Sequence, residues 1–274
     1  MKLRLEGREA GVPGFLGDKS QTRPFARMVG VKTPELLFEG NVGMLREFEF
    51  PELFVVKPRF ASTSIGVHLV RNVSGVFGDA VSGEPLDFNR ILDRYAEMSS
   101  ERYGDPMRGT FFVEELLTGY RGEVPPPDIR AYMFQGVCGF YLVEDHYGGK
   151  ARASYFNGDF SPMEDVKDRF SVAPNAGHLE CIVDREPPVR ADEIAAVAKR
   201  LSVAVPSAFC RVDMYDTPNG VMLGELTFYP GTFYYGNRKL MSKSEAVRLG
   251  VLWDQADRRL AGSKLMDPVK MENP

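Results

Sequence analysis

Between Arg211 and Pro230 the chain reads RVDMYDTPNGVMLGELTFYP, and this stretch constrains the fold more than any other. Residues 209–215 are apolar and β-prone apart from Arg211 and Asp213, which stand two apart. On a strand that spacing puts both side chains on one face. Asp216, Thr217, Pro218, Asn219 and Gly220 are turn formers, and Asn-Gly is a strong hairpin signal. The return strand, Val221 to Phe228, carries Glu225 and Thr227 at the same alternation. A hairpin predicts Asp213, Glu225 and Thr227 close together, with Arg211 beside them. Two carboxylates and a neutral oxygen suit a hard cation such as Mg²⁺, which takes a few carboxylates and completes its shell with phosphate oxygens. A surface hairpin with its charges in water accounts for the same residues equally well.

A chain of 274 residues can bury a sizeable core, as one large domain or two smaller ones. Its net charge of −4 gives no general pull toward nucleic acid or anionic membranes. Cys138, Cys181 and Cys210 are far apart and read as buried thiols in a reducing compartment, with no Cys-x-x-Cys pair to suggest zinc. No apolar run is long enough for a membrane span, and MKLRLEGREAG lacks the core of a signal peptide, so a cytoplasmic protein is expected.

Along the chain, Asp18 can cap a helix over 19–29, with Pro24 favouring a late start or a kink. FVVKP (54–58) reads as a strand, RFASTSIG (59–66) as a loop and VHLV (67–70) as a strand, with a Gly-rich connection over 71–86. A helix follows over 86–98. FFVEELL (111–117), DIRAYMF (128–134), VCGFYLVE (137–144) and ARASYF (151–156) read as strands. Residues 157–190 read as an irregular loop, and helices follow over 191–205 and 242–262. Antiparallel strands with interspersed helices predict an α+β fold.

Several side chains along this path could carry chemistry. Lys57 followed by Ser62, Thr63 and Ser64 can hold phosphates through charge and exposed donors, or can be a strand-end lysine with a polar turn. Glu114 and Glu115 end an apolar strand that could offer polar groups to an adenine walled by Leu116 and Leu117, or they are simply solvated. Asp128 could bind ribose and Arg130 a phosphate, or the two form an ion pair worth little when exposed. Arg152 could stabilise a transferring phosphoryl group, although a lone arginine is more often a surface residue. His68, His146 and His178 have no Ser or Cys partner pattern, which leaves nucleophilic hydrolases without support. The aromatics of FYPGTFYYG (228–236) read as packing. Separately weak, these signals fit one job: holding ATP and Mg²⁺ between two sheets.

In this order the motifs resemble the ATP-grasp superfamily. LGDKSQTRPFARMVGVKTP is similar to the opening of its module, LFVVKPRFASTSIGV to the strand and small-residue loop of D-alanine–D-alanine ligases, FVEELL to the adenine hinge, and DIRAYMF to the Asp-Ile-Arg strand of ribosomal-protein glutamate ligases. RVD-x-Y followed by GELTF is similar to the signature of the TupA-like, teichuronopeptide-biosynthesis-type group. The resemblance implies two α+β subdomains sandwiching ATP, without the usual N-terminal α/β domain. It implies a lead-in over 1–17, an N-terminal subdomain over 18–110 with its phosphate loop at 59–66, a C-terminal subdomain over 111–262 with a metal hairpin at 209–230, and a tail over 263–274. It assigns Lys19 and Lys57 to phosphates with Ser62, Thr63 and Ser64 closing over them. Glu114 is assigned to the adenine amino group, Leu117 to the hinge backbone and Asp128 to the ribose. Asp213 and Glu225 would hold Mg²⁺, with Thr227 standing where many relatives have Asn, and Arg211 would steady acyl transfer. The implied activity joins a small-molecule carboxylate to an amine. The acceptor site would come from residues 137–190, the C-terminal helix or another subunit, so a homo-oligomer is one way to complete it. A kinase acting on a hydroxyl and a non-catalytic nucleotide-binding protein are the alternatives.

Overall fold

The Asp18 side chain accepts from the Ser20 N–H at 2.8 Å and so caps the first helix, α1 (Lys19–Met28), which carries Pro24 without breaking. The computed structural model describes residues 4, 6, 9, 11–61, 65–146, 150–174, 180–233 and 239–262. The chain forms two units, Pro34–Pro126 and Met1–Thr33 with Pro127–Pro274.

In the 34–126 unit the elements run β1 (Leu36–Gly40), α2 (Val42–Arg46), β2 (Leu53–Pro58), β3 (His68–Val73), β4 (Val76–Asp79), α3 (Phe88–Tyr103) and β5 (Phe111–Glu115). The sheet has the order β1-β5-β2-β3-β4 and is antiparallel throughout. Phe54 and Val56 of β2 are fully buried in a core with Phe88, Ile91, Leu92 and Tyr95 of α3. Strand alternation turns Val55 and Lys57 to the opposite face. Residues 71–86 are more than a connection, since β4 pairs with β3 there.

The second unit continues with β6 (Asp128–Phe134), β7 (Val137–Asp145), β8 (Ala151–Asn157), α4 (Val166–Arg169), β9 (Phe170–Val172), β10 (Glu180–Ile182), α5 (Ala191–Ala204), β11 (Cys210–Thr217), β12 (Gly220–Thr227), β13 (Lys239–Met241) and α6 (Lys243–Leu260). Its six-stranded sheet has the order β10-β8-β7-β6-β11-β12, and β9 pairs with β13 apart from it. One face packs Ile129, Ala131, Met133, Val212 and Met214 against Ala26 of α1 and Ile194, Ala198 and Leu201 of α5. The other packs Tyr132, Phe134, Phe140, Leu142 and Tyr155 against Leu249 and Ala256 of α6. Both helical layers thus follow from strict strand alternation.

The units do not follow the expected 18–110 and 111–262 division. Strand β5 lies between β1 and β2, and α1 shares its core with the six-stranded sheet, so the divisions fall at 33/34 and 126/127. The 157–190 segment, expected as irregular, contains α4, β9 and β10.

Two one-residue bulges set which face each strand presents. In the β6–β7 pair Met133 lies opposite Cys138 but Tyr132 opposite Phe140, which leaves Gly139 over. In β11–β12 Met214 lies opposite Leu223 but Asp213 opposite Glu225, which leaves Gly224 over. An extra residue inverts the facing of everything beyond it. A Cβ at Gly139 would stand 2.7 Å from Leu249 Cδ2, and one at Gly224 would stand 2.9 Å from Tyr215 Cε2. Among the described residues, no helix is long and apolar enough to cross a membrane.

Candidate active site

The expected hairpin forms, with Pro218 and Asn219 at its corner and Thr217 opposite Gly220. Arg211 stands opposite Thr227, and Asp213 opposite Glu225. Arg211 donates from Nε to Asp213 Oδ1 at 2.6 Å and from Nη2 to Asp213 Oδ2 at 2.5 Å. The same Nη2 lies 3.0 Å from Glu225 Oε1 and 3.4 Å from Thr227 Oγ1. The oxygens of Asp213, Glu225 and Thr227 therefore converge on one point. Gly231 makes room behind it: its φ is +67°, and a Cβ there would be 2.6 Å from Arg211 Nη1. The start of α1 lies beside the same strand end, where a Cβ on Gly17 would stand 3.4 Å from the Leu226 carbonyl oxygen. Lys19, the first residue of α1, follows two residues after Gly17.

The site extends across the sheet. Arg130 of β6 lies opposite Asp213, with Nε 3.7 Å from Asp213 Oδ2. Its Nη2 donates to Asp128 Oδ2 at 3.0 Å, and its Nη1 donates to Glu144 of β7. The other Glu144 oxygen takes the ammonium of Lys239 from β13. His146 closes the edge, with Nε2 3.4 Å from Asp128 Oδ2. Glu225, Arg211, Asp213, Arg130, Glu144 and Lys239 thus form a row of alternating charge.

Burial pushes the Asp213 carboxyl up to about 6; Arg211 opposes the rise and Glu225 adds to it. Burial also disfavours charge on Glu144 and Asp128, but neighbouring cations win. Arg130 and Lys239 hold Glu144 below its ordinary value, and His146 and Arg130 do the same for Asp128. The hydrogen bond to Asp128 raises His146. These shifts match a set of buried, paired ions.

The donor set suits a hard divalent cation: two carboxylates and a hydroxyl, all oxygen. Among the described residues no three His, Cys, Asp or Glu side chains gather as a metal cage. The remaining ligands of an ion held by Asp213 and Glu225 would then be phosphate oxygens and water, the usual arrangement for Mg²⁺.

The other expected residues are distributed as follows. Lys57 and Glu114 share the sheet face away from α3 and form an ion pair with each other, with Glu114 5% exposed. Glu115 is tied to residue 35: its N–H donates to the Glu35 carbonyl at 3.0 Å and its carboxylate accepts the Glu35 N–H at 2.9 Å. Leu117 is buried and Leu116 half-buried. Ser62, Thr63 and Ser64 lie outside the described residues, but the loop's far end is held where Tyr95 Oη donates to the Gly66 carbonyl at 2.7 Å. Arg152 does not join the row. It lies opposite Asp145, is exposed, and alternates with Tyr155 and Ala153 onto the other sheet face. Glu144, Lys239 and His146 were not singled out in sequence as site residues. The acidic end of VCGFYLVE was the available signal for Glu144.

Comparison with known proteins agrees with this architecture. The profile of the family described as TupA-like ATPgrasp matches residues 15–243. The D-alanine–D-alanine ligase from Bacillus anthracis superposes with a TM-score of 0.51 at 17% identity, over 96% of this chain and 73% of that one. The ATP-grasp ligase PsnB, solved with a phosphomimetic variant of its minimal precursor, Mg and ADP, gives 0.46 at 13% identity, over 89% of this chain and 59% of that one. A RimK domain ATP-grasp protein from Sphaerobacter thermophilus gives 0.47 at 11% identity, over 89% and 67%. No curated protein matches the chain. At 17% identity the likeness to the D-alanine–D-alanine ligase speaks for the fold alone. The profile spans most of the sequence, includes the hairpin and the β6 strand beside it, and settles membership: the chain belongs to the TupA-like ATP-grasp family.

Proposed function

We propose that this protein is an ATP-dependent carboxylate–amine ligase. ATP phosphorylates a substrate carboxylate, and an amine attacks the acylphosphate to release phosphate and leave an amide. The observation that supports this most is the convergence of Asp213, Glu225 and Thr227 oxygens on one cation position, beside two arginines, in an ATP-grasp chain. Bound Mg²⁺ supplies neutralisation of phosphate charge. Asp213 and Glu225 hold it, with Thr227 as a further oxygen. Arg211 stabilises negative charge on the reacting acyl oxygens, and Arg130 does so for phosphate. Lys19 and Lys57 serve phosphates, and Glu114, which pairs with Lys57, orients that lysine and takes the adenine amino group. The contacts of Asp128 with Arg130 and His146 favour a positioning role over a ribose contact. Arg152 has no place in this chemistry. Substrates are small molecules or short peptides, and the need for ATP and the free thiols favour the cytoplasm.

The deciding experiment is a screen for ADP release with amino acids, small peptides and sugar acids, read by mass spectrometry. An amide with free phosphate is the expected product. A phosphorylated hydroxyl would make the protein a kinase, and calorimetry showing no Mg-ATP binding would overturn both enzyme readings.

A further inference from the structure

We infer that Arg211 is the resident counter-cation of the metal position, and that the metal and the guanidinium exchange there. The inference rests on the metal reading of Asp213 and Glu225. Its ground is that one atom, Nη2, contacts all three proposed ligand residues, at 2.5, 3.0 and 3.4 Å. Mg²⁺ needs its oxygens at about 2.0–2.1 Å. An ion held by these oxygens would overlap that nitrogen, so the two cations exclude each other.

The need for a resident cation follows from register. Asp213 and Glu225 face each other directly across β11 and β12, and Asp213 is 7% exposed. Opposed carboxylates on paired strands repel, and the burial of Asp213 removes water that would screen its side of the pair. Arg211 sets one positive charge between the two from within the same strand, and Arg130 Nε lies 3.7 Å from Asp213 Oδ2 on the other side. An arriving metal does the same with greater charge density, and the guanidinium must then find another anion. A phosphate oxygen on the metal's own ligand is such an anion. The missing Cβ at Gly231, beside Nη1, leaves the guanidinium space to turn. Two consequences follow. The nucleotide-free protein holds divalent metal poorly because Arg211 competes for the ligands. The arginine becomes available to substrate oxygens only once the metal is seated, so loading the site also arms it.

Linkage makes this measurable without turnover. Mn²⁺ binding, followed by electron paramagnetic resonance, should be weak in the wild-type protein alone and much tighter with ADP. Arg211→Gln should raise the nucleotide-free Mn²⁺ affinity at least about tenfold, Arg211→Lys should raise it less, and adding Asp213→Asn to Arg211→Gln should erase the gain. If Arg211→Gln binds Mn²⁺ no tighter than the wild type, while the wild type binds Mn²⁺ with ADP, the exchange is wrong and the metal site stands. If the wild type binds no Mn²⁺ even with ADP, the metal reading fails and takes the exchange with it. Should Arg211→Gln not fold, the wild type still decides. Its Arg211 Nε–H resonance, assigned by its loss in Arg211→Lys, should shift with Mg²⁺-ADP but not with ADP and chelator. A resonance that stays in place overturns the exchange.

Discussion

Arg211 and Asp213, two residues apart on one strand, are joined at two points, Nε to Oδ1 at 2.6 Å and Nη2 to Oδ2 at 2.5 Å. Both are buried, whereas the Glu225 side chain, on the same guanidinium, is 44% exposed. That contrast separates stability from metal binding. Asp213→Asn should cost on the order of 3 kcal/mol, because it leaves a buried guanidinium short of its counter-charge. Glu225→Gln should cost about 1 kcal/mol or less. Both should abolish Mg²⁺-dependent ADP release. Urea denaturation and ADP assays on the two variants check this, and full activity in both would sink the metal assignment.

The row of charge makes a second prediction at Glu144, whose side chain is 2% exposed between Arg130 and Lys239. Glu144→Gln should destabilise by about 3–5 kcal/mol, since it strands two cations. Lys239→Met in the same background should restore part of that loss. A double-mutant cycle read by chemical denaturation tests the coupling, and strict additivity would refute it.

Proton and metal compete for Asp213. Its folded value of about 6 lies above the ordinary 3.8, so the proton is held over a range where an exposed carboxylate has already lost it. Mn²⁺ affinity in the presence of ADP should therefore rise with pH up to about 6 and level off above it. The raised carboxyl also lowers stability as pH rises from 3.8 through 6 in the metal-free protein. Metal titrations across this range decide the point.

At the edge of the row the signs reverse. His146 is raised above its ordinary 6.5 by Asp128, so its stabilising contribution is full below that value and is lost as pH rises through the folded value. Asp128 is held below 3.8, so its contribution is present above that value and lost as pH falls through the folded one. The melting-temperature difference between wild type and His146→Gln should be largest between roughly pH 4 and 6 and vanish in alkali.

Gly231 offers a purely conformational test. Its φ of +67° is costly for any L side chain, and the added carbon would meet Arg211 Nη1 at 2.6 Å. Gly231→Ala should lose about 1–3 kcal/mol and weaken Mg²⁺-ADP binding, as measured by thermal denaturation and calorimetry.

Much of this was legible in the sequence because hydrophobic alternation is a local signal. DIRAYMF, VCGFYLVE and the hairpin strands were all readable from their period of two. The hairpin prediction reached the right neighbours without the register that makes them neighbours. With the observed corner at Pro218 and Asn219 and no bulge, Asp213 would face Gly224, and Glu225 would point away. Glu144 was passed over for the same reason: its approach to Arg130 depends on the extra Gly139. The unit boundary was missed because β5 pairs with strands more than fifty residues earlier, which no local pattern records. Arg152 had the right chemistry and the wrong parity.

Gly139 and Gly224 bear no functional group, yet they fix the frame in which the functional groups are read. If either strand paired without its bulge, every acid and base of this row would stay in the chain and part of it would turn to the far side of the sheet. For this protein, then, a one-residue slip of register in a strand is a more severe test of the site than any charge-neutralising substitution, and counting residues between motifs matters as much as the motifs themselves.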